Sequence, residues 1–121
     1  MCNLDVVLDA LRRIRAPRTA TEYDLHALVE EALTAFGLAF RHEAPVAPHK
    51  RIDFLCGPVG VEIKRGRPSP APLLRQLSAY AASGQIGALV LIADHPPRLP
   101  RAVLGKPLAV VSLQRLWGVA L

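Results

Sequence analysis

Residues 51–64, RIDFLCGPVGVEIK, restrict the fold more than any other stretch of this chain. Apolar and polar side chains alternate on both sides of Gly57-Pro58-Val59-Gly60, the pattern of two half-buried strands joined by a tight turn. Proline second and glycine fourth is the choice a type I turn favours. The stretch is therefore expected to fold as a β-hairpin.

A four-residue loop sets Cys56 opposite Val61, Leu55 opposite Glu62 and Asp53 opposite Lys64. A two-residue turn at Gly57-Pro58 shifts the pairing by two and leaves the faces unchanged. In either register Asp53, Glu62 and Lys64 are expected on one side, with Ile52, Phe54, Val61 and Ile63 on the other. Two carboxylates beside one ammonium group suit Mg²⁺ (or Mn²⁺), a hard cation that takes oxygen ligands and keeps waters for a phosphate to replace. The competing reading is a solvated surface charge pair, worth little to stability.

The rest of the chain supplies a setting for that hairpin. With 51% hydrophobic and 21% charged residues in 121, it reads as one folded domain spanning 1–121 and not as a disordered tail. The net charge of +5, carried mostly by arginine, fits a polyanionic partner or a solvated basic surface equally well. Cys2 and Cys56 are too few for a metal knuckle and read as reduced thiols. No leader-like N-terminus and no membrane-length apolar run is seen, so the expected location is cytoplasmic, without a membrane partner.

A first helix is expected from an Asn3 cap to about Arg15, stopped by Pro17. A second runs from Thr19 or Thr21 to about Phe36, with Gly37 at its C′ position. Glu22, His26 and Glu30 fall on one stripe of that helix, although Glu22 also has the spacing of a capping-box partner to Thr19. Leu38–Glu43 reads as the first strand and residues 44–50 as a proline-rich connection. His49, Lys50 and Arg51 bunch at the hairpin mouth, and Arg65 and Arg67 follow Lys64 in a basic, proline-rich loop. A third helix begins near Ser69–Pro72 and runs to about Ser83, stacking Gln76 and Tyr80 on one side. The run from Gly87 to Ala93 has the composition of a strand covered on both faces. After an irregular loop, a strand over Leu108–Val111 and a short helix ending near Gly118 bring Trp117 and Leu121 towards the core or a subunit contact.

The order Asp53, then Glu62-Ile63-Lys64, then Gln76-Leu77-Ser78-Ala79-Tyr80 one helix later resembles the PD-(D/E)XK nuclease superfamily, and in particular its RecB-like branch with the QxxxY motif. Ile52 stands where the family name has proline, and the resemblance covers roughly residues 20–93. It implies an α/β fold with a restriction-endonuclease-like core, a mixed β-sheet flanked by helices. It also implies a Mg²⁺-dependent deoxyribonuclease acting in DNA repair, recombination or phage and defence processing. By the resemblance Asp53, Glu62 and the Ile63 carbonyl hold the metal, completed from the first core helix by Glu22 or His26, with Glu30 less favoured. Lys64, Gln76 and Tyr80 serve the nucleophile or phosphate, and Arg51, Arg65 and Arg67 meet DNA. A junction resolvase acting as a homodimer, an inactive DNA-binding module, and dependence on an accessory protein for specificity are the alternatives.

Overall fold

The hairpin is the hinge between two halves of one six-stranded sheet. The computed structural model describes residues 2–117. Helices α1 (Leu4–Leu11) and α2 (Glu22–Ala35) precede strands β1 (Arg41–Ala47), β2 (Lys50–Cys56) and β3 (Val59–Lys64). Helix α3 (Pro70–Ala81) leads to β4 (Ala88–Ala93), β5 (Ala102–Val103), β6 (Lys106–Ser112) and the short α4 (Leu113–Leu116). Across the sheet the order is β1-β2-β3-β4-β6-β5. The first three strands form an antiparallel meander, β3, β4 and β6 run parallel, and β5 returns antiparallel to β6. This is an α/β architecture with a mixed sheet flanked by helices.

Two apolar layers cover the sheet. On one face α1 and α2 bury Leu11, Leu25, Val29 and Leu33 against Phe54, Val61, Ile63, Val90 and Ile92. On the other, α3 buries Leu73, Leu77 and Tyr80 against Ile52, Leu55, Leu89 and Leu91. Alternate residues of β4 thus serve opposite layers, which is why 88–93 is apolar throughout. Each fully buried Leu or Ile contributes about 1.5–3 kcal/mol of transfer free energy.

Local chemistry moved several expected boundaries. Asn3 does cap α1, its Oδ1 accepting from Val6 N–H, but the helix stops at Leu11. Beyond it Arg15 donates to the carbonyls of Arg12 and Ile14, and Ala16 N–H bonds to Leu116 O at 2.7 Å, drawing the chain out of helical geometry. Helix α2 starts at a capping box of Thr21 with Asp24, not Thr19 with Glu22, an arrangement worth about 1 kcal/mol. Strand β1 begins at Arg41 and takes in most of the segment expected to be a connection. Proline at 45 is tolerated because β1 is an edge strand, and only Pro48-His49 turns, with His49 at φ +57°. Trp117 is half-buried against the first layer, its ring 4.7 Å from the Arg18 guanidinium, while Gly118 and Leu121 lie outside the described residues.

The hairpin takes the two-residue form: Gly57 (φ +57°) and Pro58 turn, Cys56 pairs with Val59, Leu55 with Gly60 and Phe54 with Val61. The strict alternation expected through Asp53 does not hold. Ile52 packs with Leu55 under α3, whereas Phe54 packs with Val61 and Ile63 under α2. Pairing of β1 with β2 runs through His42↔Phe54 and Ala44↔Ile52 and skips Glu43 and Asp53 between them. Glu43 sits there at φ +54°, a left-handed conformation costing a non-glycine residue roughly 1–3 kcal/mol. Both strands change sides at this one step, and sequence periodicity carries no sign of it.

Candidate active site

The break in the ladder brings the two carboxylates together. Where Asp53 would pair with Glu62, side chains replace the backbone partners: Asp53 N–H donates to Glu62 Oε1 at 3.2 Å and Ile63 N–H donates to Asp53 Oδ2 at 2.8 Å. Lys64 Nζ lies 3.3 Å from Glu62 Oε2. Glu62 is only 3% exposed while Lys64 is half-buried, so the ammonium closes the outer side of a buried carboxylate. The N–H and C=O of a strand residue point to the same edge, so the Ile63 carbonyl opens towards β2, beside Asp53.

Burial sets the electrostatics. It pushes the Glu62 carboxyl up to about 7, reinforced by the neighbouring Asp53 charge and opposed by Lys64. Burial also raises Asp53, against the pull of the Ile63 N–H, His26 and Lys64. Two acids held in one dry corner with raised pKa values repel each other when ionised, and a divalent cation between them would remove that repulsion. The donor set fits a hard ion: carboxylate oxygens, a main-chain carbonyl and access from solvent.

Gln76 and Tyr80 belong to this site, Tyr80 from beneath it and Gln76 both as its partner and in the wall of the groove beside Lys64. Gln76 Nε2 donates to Tyr80 Oη at 3.0 Å, and Tyr80 Oη reaches Arg51 O at 2.9 Å and Glu62 Oε2 at 3.3 Å. Tyr80 is 1% exposed and its hydroxyl is held well above its usual pKa, first by burial and then by Glu62. The Tyr80 hydroxyl is thus placed to donate to the Arg51 carbonyl or to Glu62 Oε2, and the two acceptors together pin its position. Tyr80 therefore fixes the position of Glu62, and Gln76 fixes Tyr80.

From the first core helix, His26 and not Glu22 reaches the carboxylates. Its Nε2 is 3.7 Å from Asp53 Oδ2, whereas Glu22, one turn earlier, is exposed and has no ion pair or hydrogen bond to the cluster. Glu30 is turned to His42 Nδ1 at 3.8 Å. The arginines separate too. Arg51 has an exposed side chain and enters the site through its carbonyl. Arg65 does not line the cleft: its Nε lies 3.7 Å from the buried Asp94 and its Nη2 donates to Arg18 O at 3.4 Å. Arg67 lines a different depression, with Asp94 and His95. The cations that do flank Lys64 are Lys50 and Arg75, which share with Lys64 and Gln76 an open groove of about 460 Å³.

Arg75, His42 and Glu43 stand at these sites without a sequence motif that singles them out. Arg75 immediately precedes Gln76, so the helix that carries the QxxxY spacing could have disclosed it. Glu43 owes its place to a backbone conformation that no residue pattern announces. Cys2 and Cys56 are free thiols with Sγ atoms 2.7 Å apart, remote from the carboxylates in the first apolar layer. No helix among the described residues is long and apolar enough to cross a membrane. No protein-family model, curated protein or solved structure matches the chain.

Proposed function

We propose that the protein is a metal-dependent DNA nuclease of the PD-(D/E)XK type on a restriction-endonuclease-like core. One observation carries the reading: Asp53, Glu62 and the Ile63 main chain meet at a break between β2 and β3, with Lys64 3.3 Å from Glu62 and Tyr80 braced against the same carboxylate. A Mg²⁺ or Mn²⁺ ion held by Asp53, Glu62 and the Ile63 carbonyl, with His26 behind Asp53, would supply charge neutralisation at a phosphodiester and a more acidic bound water.

The chain's own residues account for the remaining requirements. Lys64 is half-buried, so its ammonium can leave Glu62 to hydrogen-bond a water or a phosphate oxygen on entry of substrate. Lys50 and Arg75 flank it in the adjoining groove and would hold neighbouring phosphates. Tyr80 and Gln76 keep Glu62 in one orientation so that the ligand set is formed before substrate arrives.

Single-stranded, duplex and branched DNA incubated with Mg²⁺ or Mn²⁺ tests the reading. Wild-type protein cuts, and Asp53→Asn and Lys64→Ala each lose on the order of 10²-fold or more in rate. Equal cutting by all three proteins overturns the assignment. Salt-dependent DNA binding without cutting replaces it with the inactive binding module.

A further inference from the structure

We propose a second metal site, for an imidazole-preferring divalent ion of the Zn²⁺ class, formed by His26, His42 and Glu43 between α2 and β1. It goes beyond the nuclease reading and stands without it. One ligand atom from each of the three residues lies within 4.8 Å of the others, at the head of an open depression of about 510 Å³. Two neutral imidazoles and a carboxylate are a donor set that binds zinc and its late first-row neighbours.

The orientation of the rings is the stronger argument. His26 presents Nε2 to Asp53 at 3.7 Å, and His42 presents Nδ1 to Glu30 at 3.8 Å. Each ring therefore has a carboxylate behind it at ion-pair distance, and drawing in to a hydrogen bond on that side would fix the tautomer and turn the opposite nitrogen into the ligand. Those opposite nitrogens, His26 Nδ1 and His42 Nε2, face each other at 2.7 Å, with Glu43 Oε1 4.0 Å from His42 Nε2. In the metal-free protein one shared proton bridges these nitrogens as an N–H···N hydrogen bond; once both N–H groups turn to the carboxylate side that proton is gone and the two lone pairs are free to take a cation. Zn–N bonds of about 2.0–2.1 Å at tetrahedral angles hold two nitrogens roughly 3.3 Å apart, so a sub-ångström opening of the rings admits the ion.

The fold holds these groups in place. Phe54 stacks on His42 with centroids 4.7 Å apart and a 21° interplanar angle, and touches His26 at 5.4 Å. Consecutive residues of a regular strand point to opposite faces, yet His42 and Glu43 serve one cluster because Glu43 is left-handed. The three ligands are 16%, 39% and 54% exposed, which leaves a path for the ion and an open coordination position towards solvent.

The test is calorimetric titration of Zn²⁺ into the chelator-treated 121-residue chain, with Co²⁺ absorption as a second readout. Wild-type protein binds one equivalent at this site, with visible Co²⁺ bands of low-symmetry nitrogen coordination. Glu43→Gln and His42→Ala weaken binding by about 100-fold, and Glu30→Gln, behind His42, by about 10–100-fold. Glu62→Gln, which alters the carboxylate pair and not this cluster, stays within about threefold of wild type. Glu43 and Glu30 are partly exposed and outside the core, so their variants keep the test valid if His42→Ala fails to fold. Failure of wild-type protein to bind Zn²⁺, unchanged affinity in Glu43→Gln and Glu30→Gln, or loss in Glu62→Gln alone overturns the proposal. None of these results depends on whether the protein cuts DNA.

Discussion

Replacing Glu62 with glutamine should make the metal-free protein more stable at neutral pH and have a far smaller effect in acid. Glu62 is buried, and its carboxyl is raised from 4.5 to about 7, chiefly by burial. The folded state then holds the proton more tightly than the unfolded chain does. Stability from this group is fully present below about 4.5, falls as pH rises through the interval to 7, and is gone above it. A displacement of that size corresponds to on the order of 3 kcal/mol, at 1.4 kcal/mol per unit. Asp53 is raised as well and adds a loss of the same sign. Glutamine cannot ionise, so the variant escapes the Glu62 share of the loss. Its amide keeps an acceptor for Asp53 N–H, and any fixed cost of the altered contacts to Tyr80 and Lys64 cancels between the two pH values. Urea unfolding of both proteins in EDTA at pH 5 and pH 7.5 measures the difference. The stability gap, variant minus wild type, should widen by about 2–3 kcal/mol at the higher pH, or several degrees in midpoint temperature for a domain of this size. A gap that stays constant within 0.5 kcal/mol, or that narrows, would mean Glu62 is already ionised and comfortable, and the description of a strained acidic pair fails.

Two further outcomes follow from packing. Gly60→Ala places a methyl group against Ile52 Cδ1 and 2.9 Å from Ile86 Cδ1 in a filled layer, so denaturant unfolding should show about 1–3 kcal/mol of destabilisation; a neutral effect would mean that Ile52 is not pinned as described. Cys56, buried and pushed up to about 12 by burial and by Cys2, should react with iodoacetamide at neutral pH far more slowly than a free thiol, and reaction at the free-thiol rate in mass spectrometry would contradict its burial.

The parts of the site that were legible in the sequence are those governed by periodicity. Glu62 and Lys64 share a face because they are two residues apart on a strand, and Gln76 and Tyr80 stack because they are four apart on a helix. Strand β4 announced itself by having no polar residue to spare for either layer. The illegible parts depend on single backbone torsions and on competing hydrogen bonds. Nothing in RHEAP marks Glu43 as left-handed, and nothing in RGRP says that Arg65 will be captured by Asp94 from the end of β4. Thr21 and Asp24 outcompeted Thr19 and Glu22 for the start of α2, although both pairs have the same spacing, because Ala20 is buried and folds back to Pro17.

The step at Glu43 and Asp53 ties these observations together. Had β1 and β2 kept regular alternation, Asp53 would share a face with Leu55, pointing into the layer beneath α3 and away from His26 on α2. The left-handed turn of Glu43 allows both strands to change sides, which carries Asp53 towards His26 while its Oδ2 still accepts from Ile63 N–H. The same torsion brings Glu43 to His42 and His26. One strained residue therefore serves two clusters that share His26, and the 1–3 kcal/mol it costs is of the kind a chain retains where geometry matters more than stability. Glu43→Gly separates the two contributions: it relaxes the torsion and removes the carboxylate, whereas Glu43→Gln removes only the charge. If the step itself aligns Asp53, both variants keep the pH-dependent instability of Glu62, lessened only by the small push that the Glu43 charge gives Asp53, while the Zn²⁺ affinity falls.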